Sequence, residues 1–281
     1  TRAAVATINA NAGLGWGMEM KDVDDVSNPS NAGDPDTAQE LNKAELLSTL
    51  FQVSNASGIR RTPLRRALEN AGRYFLGDYA NYTVQEGFVT ASGQPTDPIL
   101  AEAAGGSCQQ NHTILATDGY RNESSNAHFI VGDYGNADDE TGNAYDGGLY
   151  ADSLSNTLAD IAMHFYKMDM RDYSNDVRAN TAIGDTNPDE NPGQHMTTHT
   201  LSFGIVGNIS GPPEEWSEGQ GWPTSISNNT PETLDDLIHA AYNGRGEYLS
   251  AMDITSLQAS LQSVIDTIKQ AAEGTGAAVG F

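Results

Sequence analysis

Lysine is scarce in this sequence. The chain has 281 residues, and its four lysines and ten arginines face thirty-eight aspartates and glutamates, for a net charge of −24. A surface so acidic repels phosphate, which argues against nucleic-acid binding through a basic patch. Two readings of the acid excess stay open: cation binding, and solubility in a salty medium. Cysteine is nearly absent. Cys108 has no partner in the chain, so it is either a small buried residue ahead of a strand or half of a disulfide completed elsewhere. No apolar run approaches the ~18–20 residues of a membrane helix. The opening TRAAVATINANAG lacks the basic and apolar regions of a signal peptide. The expectation is a soluble chain, either cytoplasmic, mature after processing, or a piece of a longer protein. Repeats with a period of 20–50 residues are absent, as are G-x-S-x-G, Walker A, G-x-G-x-x-G and H-E-x-x-H motifs. No nucleophile, base and oxyanion donor can be assembled from what is left.

What is present is an alternation of strand and helix signals. LGWGMEM (Leu14–Met20) reads as a strand, and Glu40–Val53 carries the apolar spacing of an amphipathic helix. A second helix is punctuated by Thr62 as N-cap, Pro63 at its first position and Gly77 as its stop, with Leu64, Leu68, Ala71 and Phe75 on one stripe. His112–Thr117 (HTILAT) reads as a strand. Leu154, Leu158, Ile161, Phe165 and Met168 mark another helix. A strand over Thr198–Gly207, a helix over Leu234–Tyr242 ending at Asn243-Gly244, and a strand over Glu247–Ser250 follow. A last helix carries Ile254, Leu257, Leu261, Val264, Ile265 and Ile268. Strands separated by helices predict an α/β fold, a doubly wound and mostly parallel sheet covered on both faces. Polar stretches 22–38, 119–150 and 172–196 read as long loop insertions of a single domain spanning 1–281.

In such sheets ligands gather beyond the carboxyl ends of the strands. Asp118 stands there, after HTILAT and before Gly119. It can cap its own turn or bind a hard cation. Thr62 poses the same choice, between capping its helix and offering an oxygen to a cation. The loop at 132–148, GDYGNADDETGNAYDGG, concentrates Asp133, Asp138, Asp139, Glu140 and Asp146. It lacks the spacing of a calcium loop and is read as solvated. His195 and His199 enter a strand, where residues four apart are not arranged as on a helix, so they are not read as a zinc pair.

Five segments taken in order carry a resemblance: TPLRRALENAGRYF (Thr62–Phe75), CQQNHTILATDGYRN (Cys108–Asn122), GGLYADSLSNTLADIAMHFYKMDMR (Gly147–Arg171), QHMTTHTLSFGIVG (Gln194–Gly207) and LDDLIHAAYNGRGEYLSA (Leu234–Ala251). Together they resemble the von Willebrand factor A-like domain of PilY-type proteins, adhesin and assembly factors of bacterial type IV pili. The resemblance implies a Rossmann-like fold with a metal-ion-dependent adhesion site, in which Thr62 matches the second-loop threonine and Asp118 the third-loop aspartate. The first motif, D-x-S-x-S, is absent, and Asp22, Asp24 and Ser27 are poor substitutes for it. The match places residue 1 inside the helix after a first strand, so the chain is expected to be an excerpt lacking that strand. By the same resemblance the function is non-catalytic adhesion and assembly at the pilus tip, in attachment, pilus biogenesis and twitching motility. Mg²⁺ or Ca²⁺ would bind at an incomplete site. Partners would be minor pilins, other tip components, or an extracellular surface or host ligand, with the protein extracellular or associated with the outer membrane. The alternatives are a metal-free, force-bearing module linking adhesin to minor pilins, and a metal-dependent hydrolase or ATPase-associated subunit.

Overall fold

Each helix is bounded by residues whose chemistry starts or stops one. Helix α1 (Leu64–Leu76) follows Pro63 and ends where Gly77 turns to a φ of 78°. There the Asp78 N–H donates to the Arg73 carbonyl and the Gly77 N–H to that of Tyr74, the paired bonds of a Schellman stop. Helix α2 (Leu158–Lys167) begins at Thr157. The Thr157 hydroxyl accepts from the Asp160 N–H at 3.0 Å, and the Asp160 carboxylate accepts from the Thr157 N–H at 2.8 Å. This reciprocal capping box fixes the start, so Leu154 and Met168, expected at the two ends of the helix, flank it instead. Helix α3 (Glu232–Asn243) follows Pro231 and stops at Gly244. Helix α4 covers Ile254–Glu273.

The computed structural model describes residues 2–6, 17–22, 62–78, 97–123, 132–180 and 186–273. The helix expected over Glu40–Val53 lies outside them. The chain divides into two compact units, one of Thr1–Arg61 and Arg73–Pro98, the other of Thr62–Gly72 and Ile99–Phe281. In the first unit, strands β1 (Arg2–Ala6) and β2 (Gly17–Asp22) pair antiparallel, with Val5 opposite Met18 and a bulge between Ala3 and Val5. The first described residues are therefore strand and not the helix expected of them. Pairing with β2 satisfies their backbone groups directly.

The second unit holds a parallel sheet of β3 (Asn111–Thr117), β4 (Met196–Phe203) and β5 (Arg245–Ala251), in that order. Ile114 lies opposite His199, and Leu201 opposite Leu249. All of Met196–Ser202 is buried, so both faces of the middle strand are covered. That strand is nonetheless polar, and two of its hydroxyls are bonded inside the core while Thr198 Oγ1 is buried without a partner among the described residues. Thr200 Oγ1 donates to the Leu237 carbonyl at 2.9 Å, and Ser202 Oγ meets the Tyr248 hydroxyl at 2.8 Å. Gly204, with a φ of 72°, ends β4 short of the expected Gly207. At the start of β5 the backbones approach so closely that a Cβ on Gly246 would lie 2.1 Å from the Thr198 carbonyl oxygen.

Leu158, Ile161, Phe165, Leu234, Leu237 and Val264 are buried in the helical layer. Helix α1 meets α2 at Gly72, where a Cβ would stand 2.3 Å from the Phe165 ring. Among the described residues the chain is thus an α/β protein with a three-stranded parallel sheet and four α-helices. No described helix is long and apolar enough to cross a membrane. Because the strands are parallel, Thr117, Phe203 and Ala251 all end at one edge.

Candidate functional site

At that edge β3 gives way to Asp118 and Gly119. The turn is closed by Thr117, whose Oγ1 donates to the Gly119 carbonyl at 2.8 Å and lies 3.2 Å from the Gly119 N–H. Asp118 is exposed, and its carboxylate makes no hydrogen bond among the described residues. The capping role open to it in the sequence is filled by its neighbour. Thr62 reaches the same corner through an antiparallel bridge to Asn122, with N–H to carbonyl distances of 3.1 and 3.2 Å. A Cβ on Gly119 would lie 3.7 Å from Thr62 Oγ1.

The helix does not use the Thr62 hydroxyl either. The amide it would cap, that of Arg65, donates instead to Glu123 Oε1 at 3.1 Å. The Arg65 side chain binds the other oxygen of Glu123 at 2.6 Å, and Arg121 binds it at 3.2 Å. A carboxylate at a helix N-terminus, held by two guanidinium groups, fixes this corner. The structure therefore sets Thr62 beside Gly119, the residue that follows Asp118, and neither the Thr62 hydroxyl nor the Asp118 carboxylate makes a hydrogen bond among the described residues. They suit Mg²⁺ or Ca²⁺ in chemical type, as two members of a set of six or more oxygens.

A second group of potential ligands lies elsewhere in the same unit. Asp138, Asp152 and His239 each offer one atom within 4.8 Å of the others, and together they could hold a metal ion. Asp138 is fully buried. It accepts from Asn243 Nδ2 at 2.9 Å. Burial pushes its carboxyl up to about 7, with Asp160 and Asp152 adding to the rise and His239 opposing it. Asp152 Oδ1 accepts from the Leu154 N–H at 2.6 Å, while its Oδ2 is buried without a donor. His239 Nε2 lies 2.6 Å from the Tyr150 carbonyl, and its ring stacks on Trp222 at 3.8 Å.

These facts correct the reading of the loop at 132–148 as solvated. Asp139 and Glu140 are exposed, but Asp138 is interior, and the Asp146 side chain is 1% exposed against Lys167 at 2.6 Å. The Gly147 N–H donates to the Asp138 carbonyl and the Ala137 N–H to Asp160, which folds this acidic segment inward. His239 and Asp152 were not singled out from the sequence. They stand on separate segments with no motif spacing, and His239 sits within the apolar pattern of α3.

His195 and His199 take separate partners. His195 bonds Asp189 at 3.0 Å and the Gly193 carbonyl at 2.7 Å. His199 accepts from the Glu247 N–H at 3.1 Å and faces His112 at 3.2 Å. Cys108 is exposed at a short 3₁₀ turn, with its thiol 3.4 Å from the Gly105 carbonyl. The reading of it as a buried residue is thereby corrected.

No family model matches the chain, and no solved structure does. Curated relatives do match. The chain is 32% identical over 235 residues, 74% of its length, to the type IV pilus biogenesis factor PilY1 of Pseudomonas aeruginosa strain PAK. Against the protein of the same name from strain PAO1 it is 32% identical over 238 residues. Against that of strain UCBPP-PA14 it is 27% identical over 82% of the chain. The chain spans about a fifth of the length of these relatives, with 19%, 19% and 21% of each covered. The chain, an α/β protein with a parallel sheet among its described residues, is thus similar to one segment of the pilus biogenesis factor PilY1.

Proposed function

We propose that this chain is a non-catalytic adhesion and assembly module of a type IV pilus, of von Willebrand factor A type, acting outside the cell at the pilus tip. The similarity to PilY1 over three quarters of the chain supports the pilus role. The observation that carries the adhesive role is the exposed, unbonded Asp118 beside the Thr62 hydroxyl at the carboxyl edge of the sheet. In this reading both oxygens contribute to a Mg²⁺ or Ca²⁺ site, and the cation takes a carboxylate from a surface ligand or a pilus component. The cation's remaining ligands would come from outside these two residues. Minor pilins and other tip components are the partners proposed.

A second reading rests on the Arg65–Glu123–Arg121 lock, which holds the corner without any cation. The domain would then be a metal-free, force-bearing link between adhesin and minor pilins. Asp118→Ala separates the two. The adhesive reading expects pili to assemble while cation-dependent attachment falls to the level seen in EDTA. Attachment unchanged in the variant and in EDTA would remove the cation from the account and leave the link. Asp118 bonds nothing among the described residues, so its removal is expected to change stability by less than about 0.5 kcal/mol, as checked by urea unfolding.

A further inference from the structure

We infer that Asp138, Asp152 and His239 form a buried site for one divalent transition ion of the Zn²⁺ or Mn²⁺ class. The argument begins with the tautomer of His239. A ring nitrogen 2.6 Å from a carbonyl oxygen must carry a proton, so Nε2–H donates to Tyr150. His239 Nδ1 then faces Asp152 Oδ2 at 3.5 Å, and Asp138 Oδ2 lies 3.5 Å from Nε2. The separation at Nδ1 exceeds the 2.7–3.2 Å range of an N–H···O bond. It does match an ion shared between them. Nitrogen and oxygen ligands about 2.0–2.1 Å from a tetrahedral metal stand about 3.4 Å apart. A ring whose other nitrogen donates to a backbone carbonyl is also the usual arrangement for a metal-bound histidine.

A second observation bears on the same centre. Asn243 is fully buried, and its Nδ2 donates to Asp138 Oδ2 at 2.9 Å and lies 3.5 Å from the Ala159 carbonyl, which holds the Asp138 carboxylate in place. Asp152 Oδ2, also buried, has no donor among the described residues, and an unmet buried acceptor is costly. A cation satisfies it and neutralises the acids. Two carboxylates and an imidazole suit a borderline ion better than Ca²⁺, which takes oxygen alone.

The test uses the 281-residue chain stripped with EDTA, with Zn²⁺ and Mn²⁺ salts as probes. The expected result is one equivalent bound per chain by elemental analysis, with a higher melting temperature. In Asp152→Asn the new amide can donate to His239 Nδ1. The apo fold should then persist while affinity falls by at least about 100-fold. His239→Gln is a second route to the same loss. Asp118→Ala should keep the equivalent, so failure here is distinct from failure of the adhesion site. The inference is overturned if the wild type binds no equivalent of either ion. An equivalent that persists in both ligand variants also overturns it, because the ion then lies elsewhere.

Discussion

His199, buried, and His112, half-buried beside it, show how much one histidine pair constrains. His199 Nδ1 accepts the Glu247 N–H, so the proton of the neutral ring sits on Nε2 and is donated to His112 Nδ1. His112 must then carry its own proton on Nε2, which is buried without a partner. Burial lowers His112 to about 4, with His195 lowering it further and Asp189 opposing. Burial and the neighbouring His112 lower His199 to about 3. Below the ordinary value of 6.5 the unfolded chain takes up protons that the native pair refuses, so stability is lost as pH falls from 6.5 toward 4. The loss through His112 is on the order of 3 kcal/mol at pH 4. Urea unfolding at pH 7 and pH 4 should show a smaller drop in His112→Gln than in the wild type, and equal drops would refute the assignment. The same scale explains what was legible. Thr62 and Asp118 each adjoin a boundary that the local sequence marks, but position left capping and cation binding both open, and only the family resemblance favoured the cation. Asp138, Asp152 and His239 meet only through tertiary packing, and composition placed Asp138 in solvent.

Helix limits were readable wherever a cap was local. Pro63 and Gly77 bracket α1 as expected, and Asn243-Gly244 closes α3. The start of α2 was misplaced because apolar spacing runs through Leu154, whereas the bonds between Thr157 and Asp160 decide the first turn. The inward fold of β4 was harder to see. A run of Thr, His and Ser reads as an exposed face, and only the partners Leu237, Tyr248 and Glu247 make its burial tolerable. Between helices, the contact at Gly72 has no local signature at all. A methyl group there enters the Phe165 ring, so Gly72→Ala is expected to cost roughly 1–3 kcal/mol by overpacking. Thermal unfolding would show this as a lower midpoint, partly restored when Phe165→Leu is added. A midpoint unchanged in the single variant would mean that α1 and α2 do not meet at this position.

Across the whole molecule the charge of −24 is only partly a surface property. Asp138, Asp160, Asp189, Asp235 and Asp236 are buried, and several of them cap or brace backbone. Asp236, for example, accepts from the Leu158 N–H at 3.0 Å and the Ala159 N–H at 3.2 Å. The remaining acids repel one another, and salt screens that repulsion over a Debye length of about 10 Å at 0.1 M. Raising NaCl from 20 to 500 mM should therefore raise the melting temperature, and no change would place the acid excess in internal bonds alone. The parallel sheet also bears on how the chain finds its fold. Ile114 pairs with His199 across 85 positions, while Leu201 pairs with Leu249 across 48. The longer closure costs about 0.5 kcal/mol more entropy, and the polar β4 gains little from collapse until its hydroxyls find Leu237 and Tyr248. Both of those partners arrive with α3 and β5. The route to the native state is thereby biased toward assembling β4, α3 and β5 first, with β3 and its Asp118 turn added last.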